Sequence, residues 1–554
     1  MFHKDGFKER ALASWNDTTD SIPLARRIRN CRKSMAAWKR RNRTNSAEQI
    51  ELLKRRLDYA LSNTGFTTQD IHCIRQELSQ AYQDEDMYWR LKSRTNWKNF
   101  GDRNTKYFYA STKSRLARNR ILSIEDNYGN FHHGDSDIGK IAEGYFQELF
   151  TTTRDDHVNY QSVFEGFQPR VTSEINDDLV RAVSDEEIQT TVFAIGEDKA
   201  PGPDGLTGAF YQQFWPDIKG AVTQEIRDFF NTGEMGEETN HTNICLIPKP
   251  EIPTSMSDFK PIALCNVSYK IMISKILVSR LKHHLSGIVT ENQTAFIPGC
   301  NIMDKVIMAH EMLHSLKSRK RWARSYMAVK TDISKAYDCL EWSFLQDTMV
   351  HMGFNIKWIN WIMKCVSSVT FSVLVNGSTH RFIKPSRGIR QGDPLSPYLF
   401  ILCSEVLSHL LTNVTSVNKL KGMKISNTGP TINHLLFADD ALFFCHAHPK
   451  SSSTSFNKAM LAKQAWRILQ SPTSLLSRLL RGRYFETTNI LNAGTGRKPS
   501  FIWRSILEGR DLLKQGIRIL IGDGNQTNIW TDPWLPTHPS RPPQKRDDAI
   551  TNLT

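Results

Sequence analysis

Two adjacent carboxylates, Asp439 and Asp440, stand between apolar arms at residues 432–438 and 441–444. Arms of strand length and composition around a short polar break predict a β-hairpin with the acid pair at its tip. An ordinary Asp-containing turn satisfies the same pattern. Like charges held together at the end of a buried hairpin repel unless a cation lies between them. A hard divalent ion with oxygen ligands suits such a pair. The third ligand is available in residues 327–338, MAVKTDISKAYD, which read as a strand ending at Asp332 with a helix starting within a few residues. A strand-end acid beside a hairpin-tip acid can share two metal ions. Tyr337 is placed to wall a nucleotide sugar, and Asp338 reads as a helix-start charge.

The elements around these acids supply cations and tight turns. Residues 244–250, ICLIPKP, predict a strand ending at Lys249. Residues 258–264, DFKPIAL, carry Lys260 into a helix over 268–286. Two lysines at the ends of paired strands suit a triphosphate. QTAFIPG at 293–299 predicts a further strand bounded by Gly and Pro, followed by a helix over 302–318. KAPGPDG at 199–205 fixes a loop in which Lys199 could grip a phosphate or template; a rigid connector explains it equally. A hairpin is expected around Gly377. RGIRQGDPLSP at 387–397 then opens a long helix, with Ser396 as N-cap and Pro397 in its first turn. There Gly392 lets backbone approach a base pair, and Arg390 and Gln391 can reach its edge or its phosphates.

The chain has 554 residues and a formal net charge of +15, which points to an acidic partner, nucleic acid before membrane. The charge is uneven: residues 1–120 hold 26 basic and 13 acidic side chains, residues 451–554 hold 15 and 7, and the middle is slightly acidic. The nine cysteines form no CxxC pair, which argues against a disulfide framework or a cysteine-rich zinc site and predicts no disulfide partner. The N-terminus lacks a signal-peptide core. The longest apolar run, 398–411, is broken by Glu405, so no membrane-spanning segment is expected.

At the N-terminal end, the basic run 26–43 reads as a nuclear-import signal, an RNA-binding arm or a solvated helix face. Helical spacing predicts an antiparallel pair after Ser46, with Thr67 and Thr68 as capping candidates. Residues 88–121 interleave aromatics with cations, a pattern for unpaired bases and phosphates as well as for an amphipathic helix. A β-turn-β piece is expected around Asn127–Asn130, then helices, then an aromatic-rich helix over 206–232.

Together, TDISKAYD, RQGDPLSP and the FADD hairpin resemble the palm motifs of reverse transcriptases. KAPGPDG, LIPKP with DFKPIAL, and QTAFIPG look like the upstream blocks of the non-LTR (LINE-type) retrotransposon branch. GDRNTKYF within the basic-aromatic stretch resembles the linker of plant elements of this kind. The resemblance implies an α+β fold, a right-hand polymerase with fingers and a split βαβ palm. It implies RNA-directed DNA polymerisation by two Mg²⁺ ions (Mn²⁺ as substitute), with RNA template, DNA primer and dNTPs as partners in the nucleus. The family's three palm aspartates match Asp332, Asp439 and Asp440. Lys249 and Lys260 match the triphosphate grips, Tyr337 the gate against the 2′-hydroxyl, and Gln391 with Gly392 the contacts to template or nucleotide. Two departures stand out. Lys260 replaces the usual Arg and loses its bidentate fork, and Cys300 stands where Arg is usual.

The implied organisation is a basic helical RNA-binding extension (1–120), an N-terminal reverse-transcriptase extension (121–235), fingers and palm (236–447), a Ser-rich junction (448–455) and a small mixed C-terminal segment (456–554). That last segment resembles the region well beyond the thumb in plant elements. A palm truncated after Cys445, with its thumb missing, compromises activity; the alternative is a catalytically inactive RNA-binding remnant.

Overall fold

The computed structural model describes residues 6–16, 23–41, 46–63, 65–93, 114, 117–152, 160–318, 326–417, 420–425, 430–446, 454–470, 472, 475–486, 488–496, 499 and 501–517. Most of the basic-aromatic stretch 88–121, the junction 448–453 and the tail from 518 lie outside them. By contacts the chain divides into two compact units. The first comprises Met1–Ile302, Asp332–Ser408 and Leu436–Asp440; the second comprises Met303–Thr331, His409–Leu435 and Ala441–Thr554.

The first unit begins with helices. The basic helix Leu24–Arg41 buries Leu24, Arg27, Ile28 and Cys31 and leaves Arg26, Arg29, Arg32 and Lys33 exposed, so the cationic run is the outer face of a packed helix. The expected antiparallel pair forms, Ser46–Ser62 and Thr68–Ser93, around Ile50, Leu53 and Ala81. Its turn is closed by a reciprocal cap. The Thr67 hydroxyl oxygen accepts from the Asp70 N–H at 3.2 Å, and the Asp70 carboxylate accepts from the Thr67 N–H at 2.9 Å.

Strands β1 (Ser123–Glu125) and β2 (Phe131–His133) pair antiparallel across the predicted turn. The Asp126 carboxylate accepts from the N–H groups of Tyr128 and Asn130 and holds the loop closed. β3 (His241–Pro248) and β4 (Phe259–Cys265) pair antiparallel, with Ile247 opposite Lys260. After β5 (Tyr326–Asp332) come β6 (Thr370–Val375) and β7 (Ser378–Ile383), joined at Asn376-Gly377. Both turn residues have positive φ, 50° and 92°, the conformation of a two-residue hairpin. β6 runs parallel to β3, giving a four-stranded sheet in the order β4-β3-β6-β7. The helix Asp135–Phe150 covers it, with Phe150 5.2 Å from Phe371.

A larger core lies among the helices Trp215–Thr232, Lys275–Ile288, Trp342–Met352, Ile356–Ser367 and Ser396–Ser416. The last of these is, among the described residues, the one helix long and apolar enough to cross a membrane by length and composition. Half-way along it, the fully buried Glu405 accepts a bond from Arg170 at 2.6 Å and others from Thr290. Such a paired charge is typical of a core helix.

The second unit contains most of the helix Ile302–Ser318, together with β8 (Met423–Lys424) and β9 (Thr431–Ile432). β10 (His434–Phe437) and β11 (Asp440–His446) complete the strands, and the order in their sheet is β10-β11-β5. Met312, Met423, Leu435 and Phe444 form a small core here. The helices Thr454–Gln470, Leu475–Tyr484 and Phe501–Gly516 enclose another, in which Trp503 stacks on Tyr484 (4.6 Å) and Phe485 (5.5 Å).

Three expectations are corrected. Residues 293–299 form no strand: Gln293 makes a single bridge to Leu436 and the chain then turns, with Phe296 at positive φ. The aromatic stretch 206–232 is two helices, Gly208–Gln213 and Trp215–Thr232, because Pro216 starts a new one. The helix after Asp332 starts only at Trp342. Of the C-terminal segment expected as mixed, residues 518–554 lie outside the described residues, and the described residues before them form helices.

Candidate active site

β5 ends at Asp332, and the β10–β11 hairpin turns through Ala438 and Asp439, with Asp440 opening β11. The carbonyl of Asp439 accepts from the N–H of Ile333 at 3.1 Å, so the hairpin tip is tied to the residue that follows Asp332. Asp332 and Asp439 are exposed and Asp440 is half-buried. The turn is built with Ala438 at φ 51°, a left-handed conformation that costs a β-carbon about 1 kcal/mol. Gln293 holds it there. Its side chain is fully buried, and its Oε1 accepts from the N–H groups of Thr294 and Ala295 at 3.0 Å each and from Ala438 at 3.3 Å. The Leu436 N–H also donates to the Asn292 carbonyl at 2.8 Å. No local signal marks Gln293 as the brace of the hairpin, because Ala438 lies more than a hundred residues away.

The donor set of Asp332, Asp439 and Asp440 is three hard carboxylates open to solvent, which fits a hard divalent ion. As placed, no three His, Cys, Asp or Glu side chains among the described residues are gathered closely enough to hold a metal. What the fold brings together is the backbone of the two acid-bearing segments.

Around the acids, Lys249 and Lys260 are exposed at the loop end of the β3–β4 hairpin. The Lys249 ammonium donates to the Ser257 carbonyl at 2.9 Å, and its N–H donates to the Asp258 carbonyl at 2.8 Å. Tyr337 is stacked on Phe400 at 5.3 Å, with ring planes 13° apart. Burial and the nearby charge of Asp439 push its phenol up to about 12. Asp338 is not a helix-start charge. It is 5% exposed, and its Oδ1 accepts from the Gln391 side-chain amide at 3.1 Å. Burial pushes its carboxyl up to about 6, against the opposing pull of Gln391, Lys335, Lys249 and Lys260. A charged residue directly before the apolar pair Cys339-Leu340 was the one sequence signal for that burial.

The turn at 388–392 is pinned on both sides. The Ile389 N–H donates to the Tyr337 carbonyl and the Gly388 N–H to the Leu340 carbonyl, both at 2.7 Å. A β-carbon on Gly388, at φ 90°, would stand 2.6 Å from the Asp338 carbonyl oxygen, so only glycine fits. The Gln391 carbonyl accepts from the Ala263 N–H at 2.7 Å, and Gly392, exposed and at φ 106°, lies against the Ala263 backbone.

One sequence expectation changes here. Arg390 does not reach toward nucleic acid. It is 6% exposed, paired with Asp393 at 2.7 Å, bonded to Asn240 and to the Cys365 carbonyl, and its guanidinium lies 4.1 Å from the centre of the Tyr269 ring. In the KAPGPDG loop Gly202 packs against the backbone at Cys265 and Asn266, Asp204 is half-buried with its carboxyl pushed up to about 7, and Lys199 is exposed. Cys300 is exposed, and all nine cysteines are free thiols.

Residues 247–471 match the family described as reverse transcriptase (RNA-dependent DNA polymerase). Over 341 residues the chain is 25% identical to an uncharacterized 149 kDa protein of transposon TX1 from Xenopus laevis, covering 62% of this chain and 25% of that protein. Over 88 residues it is 48% identical to an uncharacterized mitochondrial protein of Arabidopsis thaliana, covering 16% of this chain and 57% of that one. Over 275 residues it is 26% identical to a retrovirus-related Pol polyprotein from the type-1 retrotransposable element R2 of Nasonia vitripennis, covering 49% of this chain and 24% of that one. The chain thus spans about a quarter of the two long relatives and somewhat over half of the short one. The stretch holding Lys249, Asp332 and the Asp439-Asp440 hairpin thus lies within the match to the reverse transcriptase family, and the chain is similar in sequence to proteins of transposon TX1 and of the retrotransposable element R2.

Proposed function

We propose that this chain is an RNA-directed DNA polymerase derived from a plant non-LTR retrotransposon, acting in the nucleus on an RNA template, a DNA primer and dNTPs. The observation that carries the reading is the Ile333–Asp439 backbone bond, which ties the hairpin of the acid pair to the residue after the third acid, within the stretch that matches the reverse transcriptase family. Asp332 and Asp439 would hold both divalent ions, with Asp440 the looser ligand. Two Mg²⁺ ions, or Mn²⁺, held by these carboxylates supply activation of the primer 3′-hydroxyl and stabilisation of the leaving pyrophosphate. Lys249 and Lys260, exposed on facing strands, neutralise the triphosphate. Tyr337, braced by Phe400, walls the sugar and excludes a 2′-hydroxyl. Gln391 and Gly392 meet the nucleotide or template, and the protein's own bonds to Asp338 and Ala263 hold them in place.

A second reading, a catalytically inactive RNA-binding remnant, is favoured by one feature. Beyond His446 the described chain continues as helices, and no further strand joins the β10-β11-β5 sheet among the described residues. A palm truncated after Cys445 and without a thumb would hold primer–template weakly. Primer extension on an RNA template with Mg²⁺ separates the two. Extension by the wild type, abolished in Asp439→Ala, supports the polymerase. Salt-dependent RNA binding without extension supports the remnant.

A further inference from the structure

Gln391 has an amide whose two ends are chemically distinct, and the fold treats them differently. Its Nε2 donates to the Asp338 Oδ1 at 3.1 Å, while its Oε1 is buried and has no partner. An ionised carboxylate can only accept hydrogen bonds. As long as Asp338 faces it, Gln391 must turn its nitrogen toward the carboxylate and its oxygen away from it. A cavity of about 20 Å³ lined by Asp338, Gly388, Ala263 and Gln391 adjoins this pair, room for one water. Asp338 is itself clamped. Its carbonyl is packed against Gly388, its neighbour Tyr337 accepts from Ile389, and Lys335, Lys249 and Lys260 face its carboxylate. Three of the groups proposed to meet the nucleotide, Tyr337, Gln391 and the lysine pair, therefore converge on one buried acid that touches no substrate.

We propose that Asp338 is a positioning residue that fixes the sense of the Gln391 amide, so that Gln391 offers an acceptor oxygen, and not a donor, to the incoming nucleotide or its water. The inference rests on the polymerase reading. Asp338 sets nucleotide affinity by acting through Gln391, and the ligand group it selects for is a hydroxyl or amino donor. Removing the carboxylate frees the amide to flip and presents an N–H₂ where an oxygen is needed, which penalises a donor ligand.

The test avoids turnover. The full chain is bound to an RNA template annealed to a DNA primer ending in a dideoxynucleotide, and the complementary dNTP is titrated until retention of that complex is half-maximal. Asp338→Leu, which keeps the branched heavy-atom skeleton and lacks an acceptor, and Gln391→Met, which lacks the amide, should each raise that dNTP concentration on the order of tenfold. The double variant should be no worse than either single one, because both remove the same interaction. Asp338→Asn keeps one acceptor and should lie between wild type and Asp338→Leu. The thermal midpoint of Asp338→Leu should not fall, since the substitution takes a charge out of a buried position. Unchanged dNTP dependence in Asp338→Leu, additive effects in the double variant, or a loss of affinity that merely follows a loss of thermal stability overturns the proposal. A wild type whose complex responds to no dNTP overturns both the proposal and the polymerase reading, which separates the two failures.

Discussion

Replacing Arg390 with alanine should unfold the first unit rather than loosen its hold on RNA. The guanidinium is 6% exposed and the Asp393 carboxylate 4% exposed, with 2.7 Å between them. Asp393 also accepts from the Ser274 hydroxyl at 2.5 Å and from the Leu395 N–H at 3.0 Å. Arg390 completes the set with Asn240, Thr242, the Cys365 carbonyl and the face of Tyr269. Both carboxylate oxygens and both terminal guanidinium nitrogens are thus matched, and deleting one partner strands the other in a medium that cannot solvate it. Such a loss costs about 3–5 kcal/mol, a large part of the roughly 5–15 kcal/mol that holds a domain together. With a urea dependence of about 3 kcal/mol/M, the unfolding midpoint should fall by about 1 to 1.7 M. Asp393→Asn should fall by a similar amount. The assay is a urea titration followed by tryptophan fluorescence and circular dichroism, run beside RNA binding at several salt concentrations. A midpoint within about 0.3 M of wild type, with weaker RNA binding and a shallower salt slope, would refute the reasoning and make Arg390 a phosphate contact.

Two further outcomes are expected. His434 is fully buried in β10, and burial, then the charge of Lys305, holds its imidazole at about 4, below its ordinary 6.5. The unfolded chain therefore takes up this proton at a higher pH than the folded one. The stability concerned is fully present above pH 6.5 and is lost as the pH falls toward 4, about 3 kcal/mol in all. Thermal midpoints measured between pH 7 and 4 should show the decline in the second unit, and His434→Gln should flatten it. At the hairpin tip, Ala438→Gly should stabilise the first unit by up to about 1 kcal/mol, because glycine accepts positive φ without penalty. Ala438→Val should destabilise it, and denaturant midpoints of the two variants check the sign.

Much of the architecture was legible wherever local pattern and local chemistry agree. The acid hairpin, the helix pair closed by Thr67 and Asp70, the Asn376-Gly377 turn and the β3–β4 pair all follow from periodicity and turn residues within a few positions of one another. The parallel pairing of β3 with β6 joins segments more than a hundred residues apart, and no local pattern encodes it. Residues 293–299 show the converse: a strand-like composition yields a turn, because Gln293 is recruited to brace the distant Ala438.

The sequence by itself determined which chemistry is on offer: three carboxylates on a strand end and a hairpin tip, two lysines on facing strands, and a glycine-bearing turn. Residue type and short-range spacing suffice for that, since hydrogen-bonding pattern and side-chain alternation are local. Only the tertiary structure decided which charges remain available. It sealed Arg390 against Asp393, drew Asp338 inward onto Gln391, and left Lys249, Lys260, Asp332 and Asp439 exposed. Burial sets the cost of a charge, and burial depends on what the rest of the chain packs against it.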